Sequence, residues 1–230
     1  MLVNVGKLMS HTSTKGGGGV KHPFNPSLVD AWFMSGLSDN NKPSSIRGVK
    51  GNEIVLRNFA FTSESGFGEG AYEGALVFDG VDDYGICNNL PILTDYTVIC
   101  KREIINKETG SVASKRTSSS QWDGAFIFER NNQLTSFGQN NYRTLQQNNV
   151  SYMTTTSYNG DTISRGSLQD TEYLILGADG FNIDLNRAHG LSNCAIYYFA
   201  LYNKSLTPEE VEEEKVKLEN YWEGGKNELA

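Results

Sequence analysis

Three aspartates crowd one short stretch, ALVFDGVDDYG, running from Ala75 to Gly85. Asp79, Asp82 and Asp83 are separated only by a glycine and a valine. Carboxylates this close can do one of three things. They can supply some of the about six to eight oxygens that Ca²⁺ takes, with backbone carbonyls adding others. They can do acid/base chemistry. Or they can accept backbone N–H groups and shape a turn, the common use of Asp in such a place. Calcium is the one cofactor these residues suggest, and the turn is the plainer reading. Asp179, in the turn GADG, is a further candidate for the same cation or a second one.

Other chemistry-bearing patterns are sparse. The chain carries no G-x-S-x-G elbow, no H-E-x-x-H helix and no phosphate loop. Of its three histidines, His11 and His22 fall in or beside a polar N-terminal stretch, and His189 stands alone. Glu69 and Glu73 are close in sequence but lie in a glycine-rich loop that does not fix their geometry. Cys87, Cys100 and Cys194 have no metal-like spacing and read as buried free thiols. Sugar recognition needs aromatic faces and amide or carboxylate side chains. Trp122, Asn140, Asn141, Tyr142, Tyr158 and Asn159 offer these between strands, and Trp122, Asn140, Tyr142, Tyr158 and Asn159 are the candidate ligand-binding residues. The bland alternative is that loop Asn serves turns and many aromatics serve the core.

The elements that must position these groups are strands. Tyr and Phe number 11 each and Gly 24 in 230 residues, which suits many short strands joined by glycine turns. Apolar runs at LVDAWFMSG, EIVLRNFAF, ALVFDG, YGICNN, YTVICKREI, AFIFER, QLTSFG, VSYMTTTSYN, YLILGAD and AIYYFALY are separated mostly by Gly, Asn, Asp or Pro. One helix stands out in LTPEEVEEEKVKLENYWE. Thr207 is its N-cap, Pro208 takes the first helical position, and Glu210 completes a capping box. Val211, Leu218, Tyr221 and Trp222 share one face, and Gly224 and Gly225 are expected to end it.

The net charge of -7 argues against a protein that reads nucleic-acid backbones. The start MLVNVGKLMSHTSTKGGGG lacks a secretory apolar run, and no segment approaches a membrane-spanning helix. The chain is therefore expected to be soluble as made, with no nucleic-acid or membrane partner. Residues 1–22 hold Lys7, Lys15 and Lys21 and no acid, a formal +3. Residues 207–230 hold eight Glu and three Lys, a formal -5. These opposite ends suggest that an arm from one copy docks on another copy or on a larger assembly.

The stretch FDGVDDY at Phe78–Tyr84, then YLILGAD, then LYNKSLTPEEV at Leu201–Val211 resembles the laminin G-like and concanavalin A-like jelly rolls. The resemblance covers about Leu28 to Lys217. Such domains often place Asp-Glu before the segment around Leu201, where this chain has Tyr197 and Tyr198. Glycosidases of that fold family usually present their acids as E-x-D-x-x-E, a run absent here. The domain is also similar to decoration, fibre or tail proteins of bacteriophage particles.

The expectation is an all-β, two-sheet antiparallel jelly roll over residues 23–206, with an N-terminal docking arm over 1–22 and a C-terminal helix and tail over 207–230. Its expected role is that of a non-catalytic structural or adhesion protein on a virion surface. It would be made in the host cytoplasm and attached to virion proteins or to its own copies through residues 1–22, displaying a lectin-like face to host or mucosal glycans. The alternatives are a stand-alone carbohydrate-binding module and a concanavalin-type glycosidase.

Overall fold

The computed structural model describes residues 23–106, 110–117, 124–131, 133–144, 149–167, 169–183 and 186–226. Two antiparallel sheets pack as a sandwich. The first runs β14 (Asp161–Thr162), β13 (Ser157–Tyr158), β12 (Asn149–Thr154), β7 (Thr97–Asn106), β18 (Asn193–Tyr202), β5 (Leu76–Asp79) and β4 (Gly66–Phe67). A further strand, β1 (Leu28–Phe33), pairs with the second half of β18, beyond the part that pairs with β5. The other sheet runs β11 (Gln139–Tyr142), β10 (Gln133–Ser136), β9 (Gly124–Arg130), β8 (Ser111–Arg116), β15 (Leu174–Leu176), β6 (Tyr84–Cys87), β3 (Glu53–Arg57) and β2 (Ser45–Arg47). A two-stranded ribbon, β16 (Ala178–Asn182) and β17 (Arg187–Leu191), pairs within itself and packs on the second sheet, where Ala178 and Phe181 join Tyr84, Ile86 and Ile175.

The alternation of strand side chains decides what faces where. On β18, Cys194, Ile196, Phe199 and Leu201 join the core between the sheets. Tyr198, Ala200 and Tyr202 face the other way, into a second apolar cluster under α1 (Pro208–Lys226). That helix forms as its capping residues predict. The Thr207 N–H donates to Glu210 Oε2 at 2.9 Å, and the Glu210 N–H donates to Thr207 Oγ1 at 3.2 Å. Val211, Leu218 and Trp222 are buried against the first sheet. The helix does not stop at Gly224 but runs on to Lys226.

Several strands differ from the sequence expectation. YLILGAD is two strands, because Gly177 turns at φ +75° and sends β16 off to the ribbon. VSYMTTTSYN folds back on itself as the β12–β13 hairpin. The polar runs that form β8, β11 and β17 carry no clear apolar alternation, so the sequence pattern does not mark them as strands.

The interior also holds charge. Arg102 on β7 reaches Glu129 on β9 with both side chains fully buried, at 2.5 Å (Nε to Oε2) and 2.7 Å (Nη2 to Oε1). The pair bridges the two sheets. Glu129 adopts φ +57°, a left-handed conformation uncommon for a side chain of this size. The three cysteines are free and buried, as expected.

Candidate functional site

A groove of about 550 Å³ opens between α1 and the outer face of the first sheet. Strand residues Lys101, Glu103, Val150 and Tyr197 line it from below, and Lys215, Val216 and Glu219 line it from the helix. Its construction follows from strand periodicity. Cys100 and Arg102 turn into the sandwich, so Lys101 and Glu103 turn out. Tyr197 reaches the same face by a different route. In the β18–β7 ladder Ile196 pairs with Arg102 and Tyr198 with Lys101, which leaves Tyr197 as the extra residue of a β-bulge. A bulge re-aims a side chain. Here Tyr197 and Tyr198 both pack with the outer cluster although they are consecutive.

The side chains in the groove hold one another. The Lys101 ammonium lies 3.7 Å from the centre of the Trp222 ring and ion-pairs with Glu219. Tyr197 and Trp222 meet edge to face, with centroids 5.5 Å apart at 89°. The Trp222 indole N–H donates to the Gly74 carbonyl at 3.0 Å. Tyr198, beneath the helix, donates its hydroxyl to Glu219 at 3.3 Å. Burial first, then the charges of Glu103 and Tyr72, push the Tyr197 phenol above its ordinary value, so it acts as a neutral hydrogen-bonding group. Lys215 lies 4.8 Å over the Tyr152 ring and pairs with Glu212 at 2.7 Å. The groove is therefore lined by one aromatic ring, with the Lys101 ammonium 5.7 Å from its centre, by two ammonium groups paired with Glu219 and Glu212, and by the carboxylates of Glu103 and Glu219.

The acidic turn holding Asp79, Asp82 and Asp83 joins β5 to β6. Asp79 Oδ1 accepts the N–H groups of Val81, Asp82 and Asp83 at 2.7, 3.3 and 3.5 Å, and Gly80 turns at φ +77°. The turn-shaping use of Asp79 is thus realised. Asp83 is fully buried, and its Oδ2 accepts the Asp79 N–H at 3.1 Å. Burial pushes its carboxyl up to about 6. The Ser65 hydroxyl and the Asp79 N–H pull against that, and the charges of Asp79 and Asp82 add to it.

Asp179 instead lies in the ribbon, buried, with Arg130 at 3.0 Å. Burial raises its carboxyl against the pull of Arg130, Ser111, His189 and Arg116. The Ser111 hydroxyl and His189 Nε2 close no hydrogen bond of normal geometry. His189, lone in sequence, belongs to this buried cluster.

The residues singled out for sugar binding do not converge. Trp122 lies outside the described residues. Tyr158 is buried and donates its hydroxyl to Glu129 at 2.7 Å, so it completes the Arg102–Glu129 pair and presents no ring to a ligand. Asn159 holds the hairpin, with its Oδ1 accepting the Tyr152 N–H at 2.8 Å. Asn140 and Tyr142 lie exposed on the edge strand β11. Asn140 accepts from Thr135 at 2.9 Å, Asn141 is tied to Ser164, and Tyr142 is 70% exposed. The groove residues were missed. The one signal that pointed to them is the pair Tyr197–Tyr198 in an otherwise alternating strand.

No protein-family model matches the sequence, and no curated protein matches it. Solved structures do resemble its fold. Trypanosoma rangeli sialidase in complex with sialic acid aligns with TM-score 0.52 and 13% identity over 87% of this chain and 34% of that one. The covalent intermediate of the same sialidase with 2,3-difluorosialic acid aligns with TM-score 0.50 and 14% identity, over 86% and 34%. The chain thus spans about a third of the sialidase's length. At this identity the likeness establishes a shared β-sandwich, in line with the jelly roll expected. It also overturns one expectation, that of a protein with no enzymatic activity. The fold is one found within an enzyme, so its architecture does not support that expectation.

Proposed function

We propose that the protein binds carbohydrate in the groove between α1 and the first sheet. The observation that carries this reading is the convergence of the Tyr197 ring, the Lys101 and Lys215 ammoniums and the Glu103 and Glu219 carboxylates around a 550 Å³ opening. That volume is within the range of about 300 to 1,000 Å³ typical of small-molecule sites. A sugar ring lays C–H groups on an aromatic surface and offers hydroxyls that both donate and accept, which suits a lining of mixed charge. The fold supports the reading, since the similar sialidase was solved with sialic acid bound. A glycan array with the intact chain and with Tyr197→Ala tests it, because binding that survives the loss of the ring rejects the groove.

One observation favours a second reading, glycoside hydrolysis. Hydrolysis of that bond generally uses two carboxyl groups about 5 to 10 Å apart, and Glu103 and Glu219 line the same groove. Release of reducing sugar by the intact chain, lost in Glu103→Gln, is its test.

The setting on a virion surface is also our proposal. It is supported by charge: Lys7, Lys15 and Lys21 in residues 1–22 oppose the exposed Glu209, Glu212, Glu213 and Glu223 of α1. Attraction of this kind favours docking of one copy on another or on a neighbouring particle protein.

A further inference from the structure

We infer that Lys115 and Asp170 join as an intramolecular amide cross-link inside the sandwich. Lys115 is on β8, and Asp170 lies in the loop that precedes β15. Lys115 Nζ stands 2.5 Å from Asp170 Oδ2, and both side chains are fully buried. Cγ is one bond beyond that oxygen, so the nitrogen is already placed beside the carbon it must attack, the proximity that an intramolecular reaction needs. The loop is fixed on either side of the acid. The Gln169 carbonyl accepts the Gly124 N–H at 2.8 Å, and the Glu172 carbonyl accepts the Leu90 N–H at 3.1 Å. The Thr171 carbonyl accepts a hydrogen of the Lys115 amine. Apolar side chains wall the pair, since Phe126 is opposite Lys115 in the β8–β9 ladder and Leu93 and Ala125 adjoin the carboxylate, all three buried.

Turning an ion pair into a bond requires a neutral amine and a neutral acid. Burial lowers the Lys115 ammonium against the pull of Asp170, and burial raises the Asp170 carboxyl against the pull of Lys115 and of the Leu93 and Thr171 N–H groups. Both displacements lead toward the uncharged pair, and a desolvated lysine amine is a nucleophile. The ammonium proton passes to Oδ2, and the nitrogen lone pair attacks Cγ. The C=O electrons move onto Oδ1, where the Ala125 N–H at 3.1 Å meets the developing charge. The nitrogen then gives a second proton to Oδ2, beside the Leu93 N–H at 2.8 Å. The Cγ–Oδ2 bond breaks, and Oδ1 closes again to a carbonyl. One ammonium and one carboxylate become one amide and one water, with no electron gained or lost. Burial then keeps bulk water from hydrolysing the amide. The buried Arg102–Glu129 pair is barred from this chemistry, because a guanidinium does not give up its proton.

The test is the intact mass of the full chain, denatured before measurement. A mass lower than that of the sequence by one water is expected. Asp-Gly steps such as Asp79–Gly80 also lose water when they cyclise to a succinimide, so the position of the loss decides. A tryptic digest should hold one branched peptide that joins the residues around Lys115 to those around Asp170, with no cleavage after Lys115. Lys115→Arg keeps the charge and should return the full sequence mass. The intact mass and the digest need only the natural chain, so they stand whether or not that variant folds. A natural chain at full sequence mass, a water loss that fragmentation places elsewhere, or a loss retained in Lys115→Arg overturns the assignment.

Discussion

The Lys101 ammonium stands 3.7 Å above the centre of the Trp222 ring, joining a central strand of the first sheet to the last turns of the C-terminal helix. About half of the chain's 230 residues separate these two in sequence, yet they meet beside the groove that Lys101 lines. A cation over an indole contributes about 0.5 to 2 kcal/mol, depending on desolvation. The buried indole beneath it contributes more. Trp222→Ala is expected to lower the unfolding free energy by about 3 to 5 kcal/mol, and Lys101→Ala by no more than about 2 kcal/mol. Urea unfolding of both variants checks the order, and equal losses would mean that the ring is not the principal anchor of the helix.

The buried Arg102–Glu129 pair predicts a larger asymmetry. Removing one partner leaves an uncompensated charge inside the protein, at about 3 to 5 kcal/mol. Glu129→Gln should therefore destabilise strongly. Tyr158→Phe, which removes only the hydroxyl that donates to Glu129, should cost about 1 to 3 kcal/mol. Denaturant midpoints of the two variants at one pH provide the comparison.

The fold was legible where local chemistry and pattern agree. Thr207, Pro208 and Glu210 announce the helix without help from the rest of the chain, and FDGVDDY announces its turn because Asp79 needs only its neighbours' N–H groups. The groove was not legible. Tyr197 faces out only because β18 carries one more residue than β7 at that point, a relation between strands that neither shows alone. Tyr158 misled for a similar reason. Followed by Asn-Gly, it reads as a loop aromatic, but its hydroxyl partner Glu129 lies on the opposite sheet and is itself buried by an arginine from a third strand. Burying polar groups requires partners distant in sequence, and a single sequence does not reveal the pairing.

Asp83 gives stability a pH dependence of defined sign. Its folded value, about 6, lies above the 3.8 ordinary for an aspartate carboxyl. Folding therefore favours the protonated carboxyl. The contribution is fully present below pH about 4 and is lost as pH rises through about 6. The loss amounts to about 3 kcal/mol at 1.36 kcal/mol per unit. In chelator, the unfolding free energy of the natural protein minus that of Asp83→Asn should fall between pH 4 and 6.5. A flat difference would contradict the burial of this carboxyl.

Deleting residues 1–22 removes three lysines and no acid. The shortened chain should keep its melting transition and lose the self-association or particle attachment proposed for the intact chain. Sedimentation of both forms at low and moderate salt reads this out, and undiminished association of the shortened form contradicts docking through that segment.

Calorimetric titration of the intact chain with sialylated and neutral oligosaccharides, repeated with Tyr197→Ala and Glu103→Gln, tests the groove most directly. The account predicts saturable binding to at least one oligosaccharide, weakened tenfold or more, about 1.4 kcal/mol, in both variants while their melting transitions persist. Binding of equal strength in the two folded variants, or none to any oligosaccharide, would contradict it.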